Sequence, residues 1–179
     1  MVCRSKGYIF LSRLPHPYPA QPKQVPIPPV FRTVDYYKGA AVQKGISLSS
    51  RLPAEALPQI EGNETMLQKA LNILVDNAVC YTPAGGHIWV EVSLQYRNVI
   101  IVVQDDSPGI VPEHQSRIFD RFYMADKNRT DRAHSGLGLS IAKKVIDDHG
   151  GELAYKTAKP QGSLFFISLP CLRVRYVKV

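Results

Sequence analysis

With 179 residues, 45% of them apolar, the chain is long enough for one domain that buries a real core. No apolar run approaches the ~20 residues of a membrane-spanning helix, and the longest, Val99 to Val103, has the length and composition of a strand. Much of the net charge of +7 lies in the two ends, at Arg4, Lys6, Arg13 and Lys23 and again at Arg173, Arg175 and Lys178, which reads as solvated tails rather than a nucleic-acid-binding face.

Cys3, Cys80 and Cys171 are odd in number and lack metal-ligand spacing, so they suggest neither a disulfide framework nor a zinc site and fit a reducing, cytoplasmic setting. Met1 to Leu14 makes a poor signal peptide, and an unprocessed chain is expected. Residues 15 to 29 carry seven prolines, which forbid a helix and predict an extended linker or disordered lead over residues 1–29. The folded domain is expected over 30–170, followed by a basic tail over 171–179.

From Thr33 to Lys44 the spacing of Val34, Tyr37 and Ala41, closed by Gly45, predicts a helix, and Ile46 to Leu52 alternates like a strand. Asn63 is placed to cap the clearest helix in the chain, with Leu67, Ala70, Leu71, Leu74, Val75 and Ala78 on one stripe. Ile88 to Gln95 alternates, and after Arg97-Asn98 comes the run Val99 to Val103, which together predict a hairpin. Its second strand ends in Gln104-Asp105-Asp106-Ser107-Pro108-Gly109-Ile110, a sharp loop, and Pro112 starts a short helix to Phe119. Met124 to His134 is almost wholly polar and reads as a mobile loop. Ser135-Gly136-Leu137-Gly138-Leu139-Ser140 then opens a helix that runs to His149, with Leu137, Ile141, Ala142, Val145 and Ile146 expected to dock on the core. Strands at Glu152 to Thr157 and Ser163 to Leu169 complete an α+β fold, with helices on one face of a mostly antiparallel sheet.

Four features carry chemistry. A Gly-x-Gly at a helix start leaves backbone N–H groups free for an anion. An aspartate in a strand-end loop can accept from an exocyclic amine, an amide oxygen such as that of Asn77 suits Mg²⁺, and a polar loop with Lys127, Arg129 and Arg132 can close on charge. Each alone is ordinary: a helical asparagine is usually a surface residue, an aspartate-rich loop usually a turn, and a Gly-x-Gly usually tight packing. Together they suit a purine nucleotide.

In these stretches, from about Val30 to Pro170, the chain resembles the catalytic, ATP-binding domain of bacterial sensor histidine kinases, within the superfamily that includes DNA gyrase, the heat-shock chaperone ATPase and MutL-type repair proteins. The family's asparagine helix looks like Leu67 to Pro83. Its first glycine motif looks like Asp105 to Ile110, its phenylalanine motif like Arg117 to Tyr123, its second glycine motif like Ser135 to Leu139, and its terminal Gly-Ser like Gly162-Ser163. The resemblance implies a two-layer α/β sandwich with a mobile ATP lid and a transfer of the ATP γ-phosphoryl group to a histidine. It implies Asp105 on the adenine amine with Ser163 supporting it through a hydroxyl or water, Asn77 on Mg²⁺, and Tyr81 along the adenine and ribose. Gly109, Ile110, Ser135, Gly136, Leu137 and Gly138 would bring backbone to the nucleotide, under a lid holding Lys127, Arg129 and Arg132. The partners implied are a histidine-bearing dimerisation domain and a response regulator, with no nucleic acid, and a membrane only indirectly through a sensor region.

The departures are as specific. The family's first asparagine, four residues before Asn77, is replaced by Ile73, and Asn72, ~140° around the helix from Asn77, is expected to face away from the site. Cys80 stands where a lysine or arginine commonly reaches the phosphates, and Ser107 replaces a glycine, so weaker nucleotide affinity is expected. None of His16, His87, His114, His134 and His149 has the context of the acceptor histidine, so the target is expected on another chain or segment. Those departures leave open a non-catalytic module of the same fold that senses or docks on nucleotide.

Overall fold

The computed structural model describes residues 23–25, 30–54, 57–124 and 136–172. Its central element is helix α2, Glu64–Tyr81, in which the apolar stripe at Leu67, Ala70, Leu71, Leu74, Val75 and Ala78 is buried as the spacing predicts. Asn63 caps it: the side-chain oxygen accepts from the Met66 backbone N–H at 3.1 Å, which satisfies one of the four donors left open at a helix start. Two further helices flank it. Helix α1, Val30–Gln43, buries Val30, Thr33, Val34 and Ala41, and helix α4, Gly138–Asp148, buries Ala142, Val145 and Ile146.

The helices lie on one face of a five-stranded sheet. Its order is β2 (Ser47–Arg51), β4 (His87–Gln95), β5 (Asn98–Asp105), β7 (Ser163–Pro170) and β6 (Glu152–Thr157). Pairings are antiparallel except for β2 on β4, which run parallel because a long crossover containing α2 separates them. On β4, Ile88, Val90 and Val92 are buried under the helices while Trp89 and Glu91 between them are exposed, the period-two pattern of a sheet with one packed face. Each fully buried aliphatic side chain contributes ~1.5–3 kcal/mol of transfer free energy, before entropy is counted.

Helices α2 and α4 run antiparallel, and two contacts fix their offset. At one end the His149 ring joins them: Nδ1 donates to the Val145 carbonyl oxygen at 2.7 Å, and Nε2 accepts from the Asn63 backbone N–H at 2.9 Å. At the other, a Cβ at Gly138 would stand 3.2 Å from Ile73 Cγ2. The start of α4 is thereby set against the middle of α2.

Several details differ from expectation. Lys23–Val25, inside the proline-rich lead, forms β1 and pairs antiparallel with β3, Ile60–Gly62, so the chain is tied to the fold before Val30. Neither three-residue strand has enough length to show a period. Helix α1 starts three residues earlier than its periodicity predicts. The helix expected from Pro112 to Phe119 stops at Gln115 as α3 (Pro112–Gln115) and continues as turns. Ile141, expected to dock on the core, is 36% exposed and lines the cavity described next. Among the described residues no helix is long and apolar enough to cross a membrane.

Candidate functional site

Where β5 ends, the register of the sheet sets Asp105 directly opposite Ser163 on β7. The Asp105 side chain is 2% exposed, and its Oδ1 accepts from the backbone N–H of Ser107 at 2.9 Å and of Ser163 at 3.2 Å. Burial pushes this carboxyl above the ordinary aspartate value, and the Ser107 side chain together with the two N–H donors only partly opposes that rise. A carboxylate kept in such a place, at a net cost to its charged form, is suited to meet a donor brought by a ligand.

Two glycines make the geometry possible. Gly162 has φ +122°, and a Cβ there would lie 2.0 Å from the Asp105 carbonyl oxygen; Gly109 has φ +78° and would put a Cβ 3.0 Å from the Gly162 carbonyl oxygen. The strand-end loop and the β6–β7 turn therefore pack backbone to backbone around Asp105. Ser107, which replaces a glycine of the family pattern, is 2% exposed; its hydroxyl lies 3.0 Å from that of Ser163 and accepts from the Gly109 N–H at 3.2 Å. The Ser163 hydroxyl is thus engaged by Ser107, and what reaches the Asp105 side chain from Ser163 is its backbone N–H.

Asp105 opens into a cavity of about 690 Å³. Of the residues expected to form a site, Asn77 and Tyr81 of α2, Asp105, Gly109 and Ile110 of the strand-end loop, and Ser163 of β7 all line it. So do Gly136, Leu137 and Gly138 at the opposite wall. The remaining expected residues, Ser135 and the lid cations Lys127, Arg129 and Arg132, lie outside the described residues. Gly136, at φ +70°, presses against the Phe122-Tyr123 backbone, and Phe122 N–H donates to the Gly136 carbonyl oxygen at 3.0 Å. Leu137 caps α4 without a side-chain bond, so the first N–H groups of that helix are left for an anion.

Asn72 is turned away, as the helical angle requires: its Oδ1 accepts from Thr33 Oγ1 at 2.8 Å and from Gln68 Nε2 at 2.9 Å, against α1. Cys80 does not line the cavity, whereas Lys69, two turns before Asn77 on the same face as Ile73, does. The phosphate-side position suggested for Cys80 is not what this conformation shows. Asp76 also lines the cavity, and its charge, after burial, helps push the Tyr37 hydroxyl up to about 12. Lys69, Asp76, Ser107 and Tyr123 are polar residues of the cavity that pattern reading did not assign to the site. The spacing Lys69, Ile73, Asn77 was a usable signal for the first of them.

For Mg²⁺ the donor set fits sparse coordination. Asn77, whose amide oxygen is a suitable ligand, lines the cavity, and among the described residues no cluster of three His, Cys, Asp or Glu could hold a metal alone. Mg²⁺ usually takes one or two protein oxygens and completes its shell from phosphates and water.

Comparison with known proteins places this geometry. The family model described as "Histidine kinase-, DNA gyrase B-, and HSP90-like ATPase" matches residues 62–173. The sensor histidine kinase RppB of Synechocystis sp. is 38% identical over 138 residues, which are 76% of this chain and 30% of RppB. The catalytic domain of the histidine kinase ThkA superposes with a TM-score of 0.74 at 25% identity, covering 85% of this chain and 97% of that domain. Full-length ShkA in complex with AMPPNP gives 0.73 at 27%, covering 86% of this chain and 32% of ShkA. With the family model matched over more than half its length, the chain belongs to the histidine kinase-, DNA gyrase B- and HSP90-like ATPases, on the branch of the sensor histidine kinase catalytic domains.

Proposed function

We propose that this chain binds Mg·ATP between α2, the β5 loop and α4, and serves as the catalytic domain of a two-component sensor histidine kinase. The observation that carries the reading is the buried Asp105 carboxylate, fixed by Ser107 and Ser163, at one end of a cavity whose other wall is the open N-terminus of α4. A carboxylate accepts from the adenine 6-amino group and would meet the 6-oxo group of guanine acceptor to acceptor, which selects ATP over GTP. Helix N–H groups and Asn77, with Mg²⁺ held by its amide oxygen, suit the phosphates.

Transfer then needs positioning more than covalent chemistry by the protein. The bond between the γ-phosphorus and the β–γ bridging oxygen breaks, a phosphorus–nitrogen bond forms to a neutral histidine ring, that histidine loses its proton and Mg·ADP leaves. The acceptor belongs to a histidine-bearing dimerisation domain on another chain or segment. Downstream, a response regulator would take the phosphoryl group, and the domain would work in the cytoplasm. Supporting the separate acceptor, His149 uses both ring nitrogens within the fold and His114 Nδ1 lies 2.6 Å from the Tyr123 hydroxyl.

One observation favours a second reading, a nucleotide-sensing module without transfer: Ile73 stands in the cavity where the family commonly has a second amide. Mixing the chain and labelled Mg·ATP with a panel of dimerisation domains from related sensor kinases tests the pair. Acid-labile, base-stable phosphate on any acceptor histidine supports the kinase, and nucleotide binding with no transfer across the panel supports the sensor.

A further inference from the structure

Phosphates carry charge that a helix N-terminus and one amide only partly answer, and the family's usual cation is a cysteine in this chain. Among the described residues Lys69 is the one lysine or arginine that lines the nucleotide cavity. Lys44 is committed elsewhere, donating to the carbonyl oxygens of Val79 at 2.7 Å and Cys80 at 2.5 Å at the end of α2. Arg121 lines only a second, neighbouring cavity of about 860 Å³. Lys69 makes no ion pair or hydrogen bond with another described residue, whereas Lys143 and Lys144 on α4 are paired with Asp147 and Asp148.

The antiparallel offset of the two helices says where along the nucleotide Lys69 stands. Ile73 meets Gly138, so Lys69, one turn earlier on α2, faces the next turn of α4 at Ile141. It is ~12 Å along the helix from Asn77, on the side away from Tyr81. Lys69, Leu137 and Ile141 are also the residues shared by the two cavities, so they form the rim where the nucleotide cavity opens toward its neighbour. A flexible four-carbon stem lets an ammonium at this rim swing over a phosphate without displacing backbone.

We propose that Lys69 is the cation that receives the terminal phosphate of the nucleotide, replacing from about three turns earlier on α2 the charge that Cys80 lacks. This rests on the nucleotide reading above and adds a discrimination to it: Lys69 favours the triphosphate over the diphosphate and adds nothing for adenosine. A charge-assisted contact at an exposed ammonium, discounted for solvent and salt, corresponds to about a five- to tenfold difference in affinity.

Calorimetric titration of Lys69→Gln, Lys69→Arg and the control Lys156→Gln, an exposed lysine on β6 outside both cavities, tests it. Expected are a five- to tenfold loss of Mg·ATP affinity in Lys69→Gln, a change below twofold for Mg·ADP, near-parental binding in Lys69→Arg, and an unchanged control. The thermal midpoint should be the same in all four proteins, because Lys69 is exposed. Equal affinities of Lys69→Gln and the parent for Mg·ATP, or equal losses for Mg·ATP and Mg·ADP, would overturn the assignment while leaving the nucleotide site standing. A parent that binds neither nucleotide overturns both.

Discussion

Replacing Asp105 by asparagine changes one oxygen and little else. In the native site Oδ1 accepts two backbone N–H bonds, at 2.9 and 3.2 Å, and an amide oxygen can keep both. The amide nitrogen must then take the place of the second carboxylate oxygen and present donors where an adenine amine also brings a donor. The loss of a charge-assisted bond, ~1.5–3 kcal/mol, is compounded by the ~1–3 kcal/mol cost of a buried donor left unmatched. At 1.4 kcal/mol per decade this predicts at least about sixtyfold weaker Mg·ATP binding. The fold should not suffer: burial disfavours the Asp105 charge, so removing it leaves the thermal midpoint at neutral pH unchanged or higher. Calorimetry and thermal unfolding on the same preparation read both quantities. Parental affinity in Asp105→Asn, or lost binding accompanied by a collapsed midpoint, would refute the reasoning.

Acidification should act on binding and stability in opposite directions. The folded-state pKa of Asp105 is raised, so the folded chain holds the proton more tightly, and stability from this group falls as pH rises through the window above the ordinary aspartate value. Nucleotide affinity is lost as pH falls through the same window, and Asp105→Asn should lack this group's contribution to the stability slope. Gly162→Ala forces a Cβ to 2.0 Å from the Asp105 carbonyl oxygen at φ +122° and should cost ~2–4 kcal/mol in chemical denaturation, with nucleotide binding lost as well. Asn63→Ala removes the cap of α2 and should cost ~0.5–2 kcal/mol without touching the cavity, so denaturation midpoints fall while affinity at low temperature holds. Incubated alone with γ-labelled ATP, the chain should gain no acid-labile, base-stable phosphate; stoichiometric label on any of its five histidines would contradict a separate acceptor.

Periodicity made the large elements legible. The α2 stripe, its Asn63 cap, the β4–β5 hairpin and the β6–β7 pair form as their residues predict, because burial of one face imposes the pattern that reveals them. The three-residue β1 and β3 are too short to show a period, and the position of Ile141 does not separate core from cavity because a cavity wall and a core both take an aliphatic side chain. Asp105 and Ser163 were each legible from a motif, but their pairing is a matter of strand register, which local sequence does not state. Ser107 stands where the family pattern has a glycine, and the partner that gives its hydroxyl a place in the site, Ser163, is 56 residues away and brought in by the fold, while its bond from the Gly109 N–H is local. The motif position of Cys80 carries no information about Lys69, whose position on the cavity face follows from helix angle and from where α4 crosses α2.

The central claim is that the cavity between α2, the β5 loop and α4 recognises an adenine nucleotide. Calorimetric titration of the chain with Mg·ATP and, separately, Mg·GTP tests it most directly. The account predicts saturable one-to-one binding of Mg·ATP that Mg·ADP competes away, with Mg·GTP at least tenfold weaker because its 6-oxo group meets Asp105 acceptor to acceptor. Equal affinity for both nucleotides, or no saturable binding of either, would contradict it.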